Sequence, residues 1–547
     1  MKKYKNIKDM KRIKYLLIII GFCLASVSCE EFLEEEPTGN LTRDAELSSA
    51  ESGLALANGA YEALDNWTDG TSEWGGNLMG SLEYWTGMAH SQYMGSRLWK
   101  FEQDDEDGGE DYFTGQWDNW YRGVRHCNFA IEKIPEVDGL TDEEKSQYLG
   151  EVRTLRAFYF FCLVRYYGDV ICITCPLEDV DQAEQPRRTL VGIYNDVIVP
   201  DLEFAVNEST LPEGQTNGRV TKDAARALLA DVYLTMAGYP YQEARQDTTK
   251  DWCTGGGWSM QQYPVDNSSS RELLQKAKTQ LDDLYGKYPL TEMTHINKPE
   301  YMNNGEGAIF QIQYMAGVSD LGIREEVIPL NSYITVYTIE SGTIIPAQIY
   351  HDSYDPADKR IQDRMYFYYS DTKAKKYDPN ESPVEFTMPF LYKYYDEKGA
   401  KETAQSGLNF NLYRYADVLL MLTEVNWCLD RLGENIPEED IAKGINQIRE
   451  RAGLSAFKGS EITLKDIFAE RAYELIFESK MVWDQRRTRK CLVCGDGEFA
   501  DLVDFMGHQP ERFNYQFGPK HLLSPVSGIE IDRNSKCLQN YGWTPTQ

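Results

Sequence analysis

Between residues 218 and 239, in GRVTKDAARALLADVYLTMAGY, apolar side chains return every three or four positions: Val220, Ala224, Ala227, Leu228, Val232 and Met236. That period puts them on one face of an amphipathic helix. Thr221 stands where an N-cap is needed, and Gly238 with Pro240 closes the run. Ala224, Ala225, Ala227 and Ala230 leave room for a neighbouring helix to approach closely. The same reasoning predicts helices over residues 48–65, 116–134, 143–167, 189–207, 271–286, 411–432, 438–452 and 463–481, most of them followed by Gly or Pro. Their lengths and paired rhythm predict a mainly α fold, a tetratricopeptide-like array of helical hairpins whose core lies between successive hairpins. The pattern breaks over residues 66–115, 240–270 and 290–407, where Gly, Trp, Tyr, Asp and Ser are frequent and strand-like runs such as GAIFQIQY (307–314) are short. A second, more irregular lobe with short strands and long loops is therefore expected beside the array. Loops of that length in a compact protein usually carry function.

The N-terminus follows another logic. Lys2, Lys3, Lys5, Lys8, Lys11, Arg12 and Lys14 precede a nearly unbroken apolar run from Tyr15 to Ala25. The run is short of the roughly 20 residues that span a bilayer, so it reads as a secretory signal. Ser26-Val27-Ser28-Cys29 resembles a bacterial lipobox, which makes residues 1–28 the signal and Cys29 the lipidated residue. Several acyl chains on one cysteine give a stable anchor, at about 0.8 kcal/mol per buried CH₂. Glu30, Glu31, Glu34, Glu35 and Glu36 follow at once, a density of like charge that stays solvated. This run resembles the signal that places Bacteroidetes lipoproteins on the outside of the outer membrane. The expected organisation is a tether over 29–45, a helical lobe over 46–290 and a second lobe over 291–547.

Charge narrows the function. The chain carries −31, and loss of the signal's seven bases and Asp9 takes the mature protein to about −37. Such a surface repels phosphate backbones, which excludes nucleic acid as a partner. Of 11 cysteines, nine remain once Cys23 and Cys29 are set aside, too few and too scattered for a disulfide scaffold. Cys172/Cys175 and Cys491/Cys494 have CxxC spacing, but the first pair lies in the apolar run VICITCPLE, where cysteine serves as a small hydrophobe, and no zinc site is expected. The acidic run EQDDEDGGED (102–111) could offer carboxylates to calcium, yet with Gly108 as the turn glycine Thr114 stands where an EF-hand needs glutamate. A solvated loop is the expectation there, with no cofactor. No GxSxG, HExxH or phosphate-loop motif occurs, and the six histidines are scattered, so the chain is not expected to be an enzyme.

Several segments, taken in order, resemble the SusD/RagB family: CEEFLEEEPTG, WDNWYRGVRHCNFAIEKI (117–134), EVRTLRAFYFFCLVRYYGDV (151–170), GRVTKDAARALLADVYL (218–234), FNLYRYADVLLMLTEV (410–425), INQIRERAGL (445–454) and LQNYGW (538–543). The resemblance runs from Cys29 to Trp543. It implies a surface lipoprotein that captures an oligo- or polysaccharide and delivers it to a partner SusC-like TonB-dependent outer-membrane transporter. A peptide-binding receptor of the RagB kind is the alternative it allows, and a surface glycoside hydrolase is the second. Arg153 and Arg156, Arg414 and Glu424, and Arg449, Arg451 and Glu474 read as fold-defining ion pairs.

A glycan ligand turns attention to aromatic residues in loops, because sugar rings set their C–H faces on flat side chains while polar neighbours read the hydroxyls. The chain has 36 Tyr and 11 Trp. The densest loop cluster, residues 66–101, offers Trp67, Trp74, Tyr84, Trp85, Tyr93 and Trp99, with Asn77, Gln92 and Arg97 among them. A second group is Trp252, Trp258 and Tyr263. These are the expected ligand-binding residues.

Overall fold

The structure, a computed structural model, describes residues 49–67, 82–90, 110–177, 182–214, 217–246, 262–318, 345–371, 384–403, 405–511 and 513–543. Several of its helices begin where hydroxyl side chains cap them. α1 (Ala50–Gly59) and α2 (Glu110–Lys133) precede α3 (Asp142–Tyr167), which opens on a capping box. There Thr141 Oγ1 accepts from Glu144 N–H at 3.2 Å, and Thr141 N–H donates back to the Glu144 carboxylate at 2.8 Å. Gly168 at φ 74° ends it. After α4 (Val199–Asn207), α5 (Lys222–Met236) is the helix of the 218–239 run, capped by Thr221 Oγ1, which accepts from Ala224 N–H at 3.1 Å. Gly238 beyond it is required by a close approach: a Cβ there would lie 2.5 Å from the Arg487 carbonyl oxygen.

α6 (Ser268–Leu284), α7 (Tyr415–Leu429), α8 (Glu438–Ala452) and α9 (Leu464–Leu475) continue the series. Each helix packs on the next, α2 on α3, α3 on α4, and so on through α7 on α8, with α9 against α7. This is the helical-hairpin array expected from the periodicity. It does not stop at residue 290, because α6 packs directly on α7 and one hydrophobic core runs from Ala57 to Trp543. α10 (Met481–Thr488) packs on α9, and α11 (Gly528–Arg533) returns to pack on α2.

The strands are short and pair two by two, always antiparallel: β1 (Ala89–His90) with β3 (Ile345–Pro346), β2 (Ala308–Ile312) with β6 (Phe410–Arg414), β4 (Phe367–Asp371) with β5 (Val384–Leu391), and β7 (Lys490–Cys494) with β8 (Phe499–Asp504). Two expected helices are corrected. Residues 411–414 belong to β6, because that stretch finds its backbone partners on β2, and the helix starts only at Tyr415. The helix expected over 463–481 ends at Leu475, since Phe477 and Ser479 adopt φ of 61° and 60°, and a new helix begins at Met481.

The charged residues expected to pair do find partners between these elements, though not always those expected: Arg449 bonds Glu470 at 3.2 Å rather than Glu474. Arg156 grips Asp201 with Nε at 2.7 Å and Nη2 at 2.9 Å. Glu424 holds Arg487 at 2.6 Å rather than Arg414, whose partners are Glu474 at 2.7 Å and Glu478 at 2.8 Å. Glu474 also receives Arg451 at 2.5 Å and Arg360 at 3.2 Å. Buried charges of this kind need every partner, because a lone charge in the interior is far costlier than the pair.

Glu83, in the helical turn before β1, bonds no cation. Its Oε1 accepts from Ser479 N–H at 2.8 Å, while its buried Oε2 has no hydrogen-bond partner. Burial pushes its carboxyl up to about 7 from 4.5, against the Ser479 and Phe477 N–H groups and Lys393, with Glu478 adding to the rise. Between pH 4.5 and 7 the unfolded chain therefore loses a proton that the folded chain keeps. This group's stabilising contribution is complete below pH 4.5 and is lost as pH rises through 7. Glu83→Gln, neutral throughout, should lose about 3 kcal/mol less stability than the parent between pH 4.5 and 8.5, read by denaturant titration at both values. Equal losses in the two proteins would remove Glu83 as the cause.

Candidate functional site

Three of the expected ligand aromatics are core residues. Tyr84 and Trp85 are 1% and 2% exposed, and Trp85 meets Tyr166 edge to face with ring centroids 6.2 Å apart. Tyr263 is 3% exposed; its hydroxyl donates to Glu424 Oε1 at 2.6 Å and accepts from Arg487 Nη1 at 3.1 Å. Its ring completes the buried Glu424–Arg487 pair, so it offers no face to a ligand. These are corrections to the sequence reading, and they share a cause: each residue sits where its segment joins the body, not at the crest of a loop. Trp74, Asn77, Tyr93, Arg97, Trp99 and Trp258 lie outside the described residues, as do Cys29, Gln92 and Trp252, and the side chain of Trp67 does too. The side chains of the acidic run 102–111 also fall outside them.

The cysteines behave individually. Cys491 is buried beside Phe505, Phe513, Phe517 and Leu522, and burial alone pushes its thiol well above the ordinary range. Cys175 is exposed. Among the described residues, no group of three or more His, Cys, Asp or Glu is placed to hold a metal ion.

A site unforeseen from the sequence opens on α2. Trp117, Tyr121, Val124 and Asn128 follow helical spacing along one face, and the coil after α3 runs beside them. Together with Phe129, Ile171, Ile173, Pro176 and Leu177 they line a cleft of about 820 Å³. Its wall is held rigidly. Tyr121 Oη donates to the Ile171 carbonyl at 2.7 Å, and Asn128 Nδ2 donates to that of Ile173 at 2.8 Å. Asn128 Oδ1 in turn accepts from Arg156 Nη1 at 3.0 Å, and the same nitrogen donates to the Thr174 carbonyl at 3.2 Å. The buried Arg156–Asp201 pair thus fixes both sides of the cleft. Trp117 and Tyr121 pack with centroids 4.9 Å apart beneath its floor.

The rim is charged with both signs. Arg122 donates to Asn119 Oδ1 at 2.6 Å, and His126 Nδ1 lies 2.9 Å from the Gly59 carbonyl at the end of α1. Arg125 is exposed and makes no hydrogen bond or ion pair among the described residues. The acids are Asp118, one turn before Arg122 on α2, and Glu530. Burial raises both carboxyls; Arg533 and Arg122 oppose the rise at Asp118, while at Glu530 the Asn534 bond and Arg533 oppose it and Asp118 adds to it. Phe129 and Leu177 remain 42% and 41% exposed at the mouth. Phe129 was the available sequence signal, an aromatic residue out of phase with the core stripe of its helix.

Two family descriptions match the chain in series. One, the SusD family, matches residues 301–543; the other, described as starch-binding and associating with the outer membrane, matches residues 31–234. A SusD-like protein of Formosa agariphila is 25% identical, over 96% of this chain and 99% of its own length. Another, from Bacteroides ovatus, is 27% identical over 94% and 93%. Among solved structures, a SusD superfamily protein from Parabacteroides distasonis aligns at a TM-score of 0.78 with 30% identity, covering 90% of this chain and 99% of its own. The surface glycan-binding protein A of Bacteroides thetaiotaomicron, solved with laminarihexaose, has the same fold at a TM-score of 0.66 and 18% identity over 90% of this chain. No described helix is long and apolar enough to cross a membrane.

Proposed function

The chain belongs to the SusD family, and from that premise we propose that it is a surface lipoprotein that captures an oligo- or polysaccharide and hands it to a SusC-like TonB-dependent transporter. The observation that carries this reading is the serial match of two family descriptions, one of them starch-binding and outer-membrane associated, in the order of the chain. The glycan-bound neighbour of the same fold supports a saccharide as the ligand class. Cys29 is the proposed lipid attachment, and Glu30, Glu31, Glu34, Glu35 and Glu36 the proposed export signal. The helical array supplies a broad rigid face for the partner. A binding role rather than catalysis fits the matched families, and the buried carboxylates of Glu424, Glu474 and Glu478 are each committed to guanidinium partners.

Burial of Tyr84, Trp85 and Tyr263 narrows the proposed loop platform to Trp67, Trp74, Tyr93, Trp99 and Trp258, with Asn77 and Arg97 as hydroxyl readers. Native gels cast with individual soluble polysaccharides test this. The parent should be retarded by one glycan or a related group, and Trp74→Ala or Trp99→Ala should reduce that retardation by an amount matching about 1–3 kcal/mol for a lost aromatic contact. Migration unchanged in every gel would remove the glycan reading, and cleavage of the retained polysaccharide would replace it with a hydrolase.

A further inference from the structure

We propose that the cleft between α2 and residues 171–177 is a second saccharide site on the body of the protein, separate from the loop platform and taking a short neutral oligosaccharide. The inference rests on the glycan reading above. It starts from the lining. Arg122 and Arg125 share the lining with Asp118 and Glu530, two charges of each sign, so the cleft offers no net attraction to an ionic ligand. It offers instead what hydroxyl groups need, guanidinium donors and carboxylate acceptors within one concavity. Arg125 and Asp118 make no hydrogen bond among the described residues, and Glu530 accepts one, from Asn534 at 2.8 Å. Their capacity is available to a ligand.

The apolar part completes the match. Phe129 presents an exposed ring at the mouth, and Ile173, Pro176 and Leu177 form the opposite side. A pyranose set on Phe129 would turn a hydroxyl edge toward Arg125, one turn away on α2, and further sugar units would reach Asp118, about three turns along the same helix, and Glu530. The volume, about 820 Å³, falls within the roughly 300–1,000 Å³ of ligand sites. The wall is pre-organised, because Arg156 and Asp201 fix Asn128 and the Thr174 carbonyl whether or not the cleft is filled. Binding therefore orders few groups beyond Arg125 and the ring of Phe129.

Hydrogen exchange of the mature protein in a sugar-free detergent tests this, read over residues 117–129 and 171–177 with millimolar laminarihexaose or maltohexaose. Titration heats are measured on the same samples. The expected result is exchange slowed severalfold at 171–177 by one saccharide. The slowing should be kept in Trp74→Ala and abolished in an Arg125→Ala, Phe129→Ala double variant that unfolds at the parent's temperature. Both substituted residues are exposed, so the double variant should fold. Saccharide heat without any change at 171–177 overturns the second site and leaves the glycan reading standing. Neither heat nor protection overturns both. Protection by a peptide digest in place of the saccharides overturns the ligand class.

Discussion

Replacing Glu474 by glutamine is expected to prevent the chain from folding stably. Its carboxylate is fully enclosed at the end of α9, where Oε1 accepts from Arg414 at 2.7 Å, Arg451 at 2.5 Å and Tyr366 Oη at 3.0 Å, and Oε2 from Arg360 at 3.2 Å. Burial alone would raise this carboxyl, but Arg451, Arg414, Arg360 and Lys393 together hold it well below the ordinary carboxylate range. Glutamine keeps the shape and removes the charge, so three guanidinium groups lose their shared counter-ion in an interior that water cannot reach. Breaking a buried pair costs about 3–5 kcal/mol, and a carboxylate shared by three partners belongs at the upper end. Set against a total stability of about 5–15 kcal/mol, that is enough to empty the folded state or bring it close to that point. Thermal unfolding followed by circular dichroism reads the effect. A midpoint within a few degrees of the parent would show that Arg360, Arg414 and Arg451 are compensated elsewhere. Glu461→Gln, on the exposed pair with Lys458, should leave the midpoint unchanged.

Gly444→Ala is expected to destabilise the native chain at any pH, through packing alone. α8 crosses α7 at this glycine, and a Cβ there would lie 2.2 Å from the Leu419 carbonyl oxygen and 2.7 Å from Thr423 Oγ1. Thr423 cannot swing away without loss, because its Oγ1 accepts from Ile445 N–H at 3.0 Å and donates to Leu419 O at 3.0 Å. Alanine gains about 1 kcal/mol of helix propensity over glycine. Forcing two backbones apart in a filled core costs about 3 kcal/mol, so the loss wins. Denaturant titration of both glycine variants reads this: Gly59→Ala, at the end of α1 where an added Cβ meets nothing within 4 Å, should be neutral or stabilising. If both variants shift stability in the same direction, helix propensity rather than close approach decides.

Much of the helical frame is readable from local chemistry. α5 and α8 are predicted nearly to their ends, because Thr221 and Gly238 bracket one and Gly453, at φ 80°, stops the other. The misses come from partners distant in the chain. Nothing local in FNLYR distinguishes the start of a buried helix from a strand; its pairing with residues 308–312 decides it. The sequence pairs Glu424 with Arg414, whereas its partners are Arg487 and Tyr263, 63 and 161 positions away. The aromatic loops show the same limit. Composition identifies Tyr84, Trp85 and Tyr263 as candidate platforms, and only the packed structure shows their rings turned into the core. The α2 cleft needed two walls from separate segments, of which the sequence displays one helix face at a time.

The central claim, capture of a saccharide at the cell surface, is tested most directly by isothermal titration of the chain beginning at Glu30 against starch-derived and laminarin-derived oligosaccharides, with a peptide digest as the competing ligand. Saturable heat with one saccharide family and none with the digest is the predicted result. Saturable heat with peptides and none with any saccharide would contradict the account and make this member of the SusD family a peptide receptor.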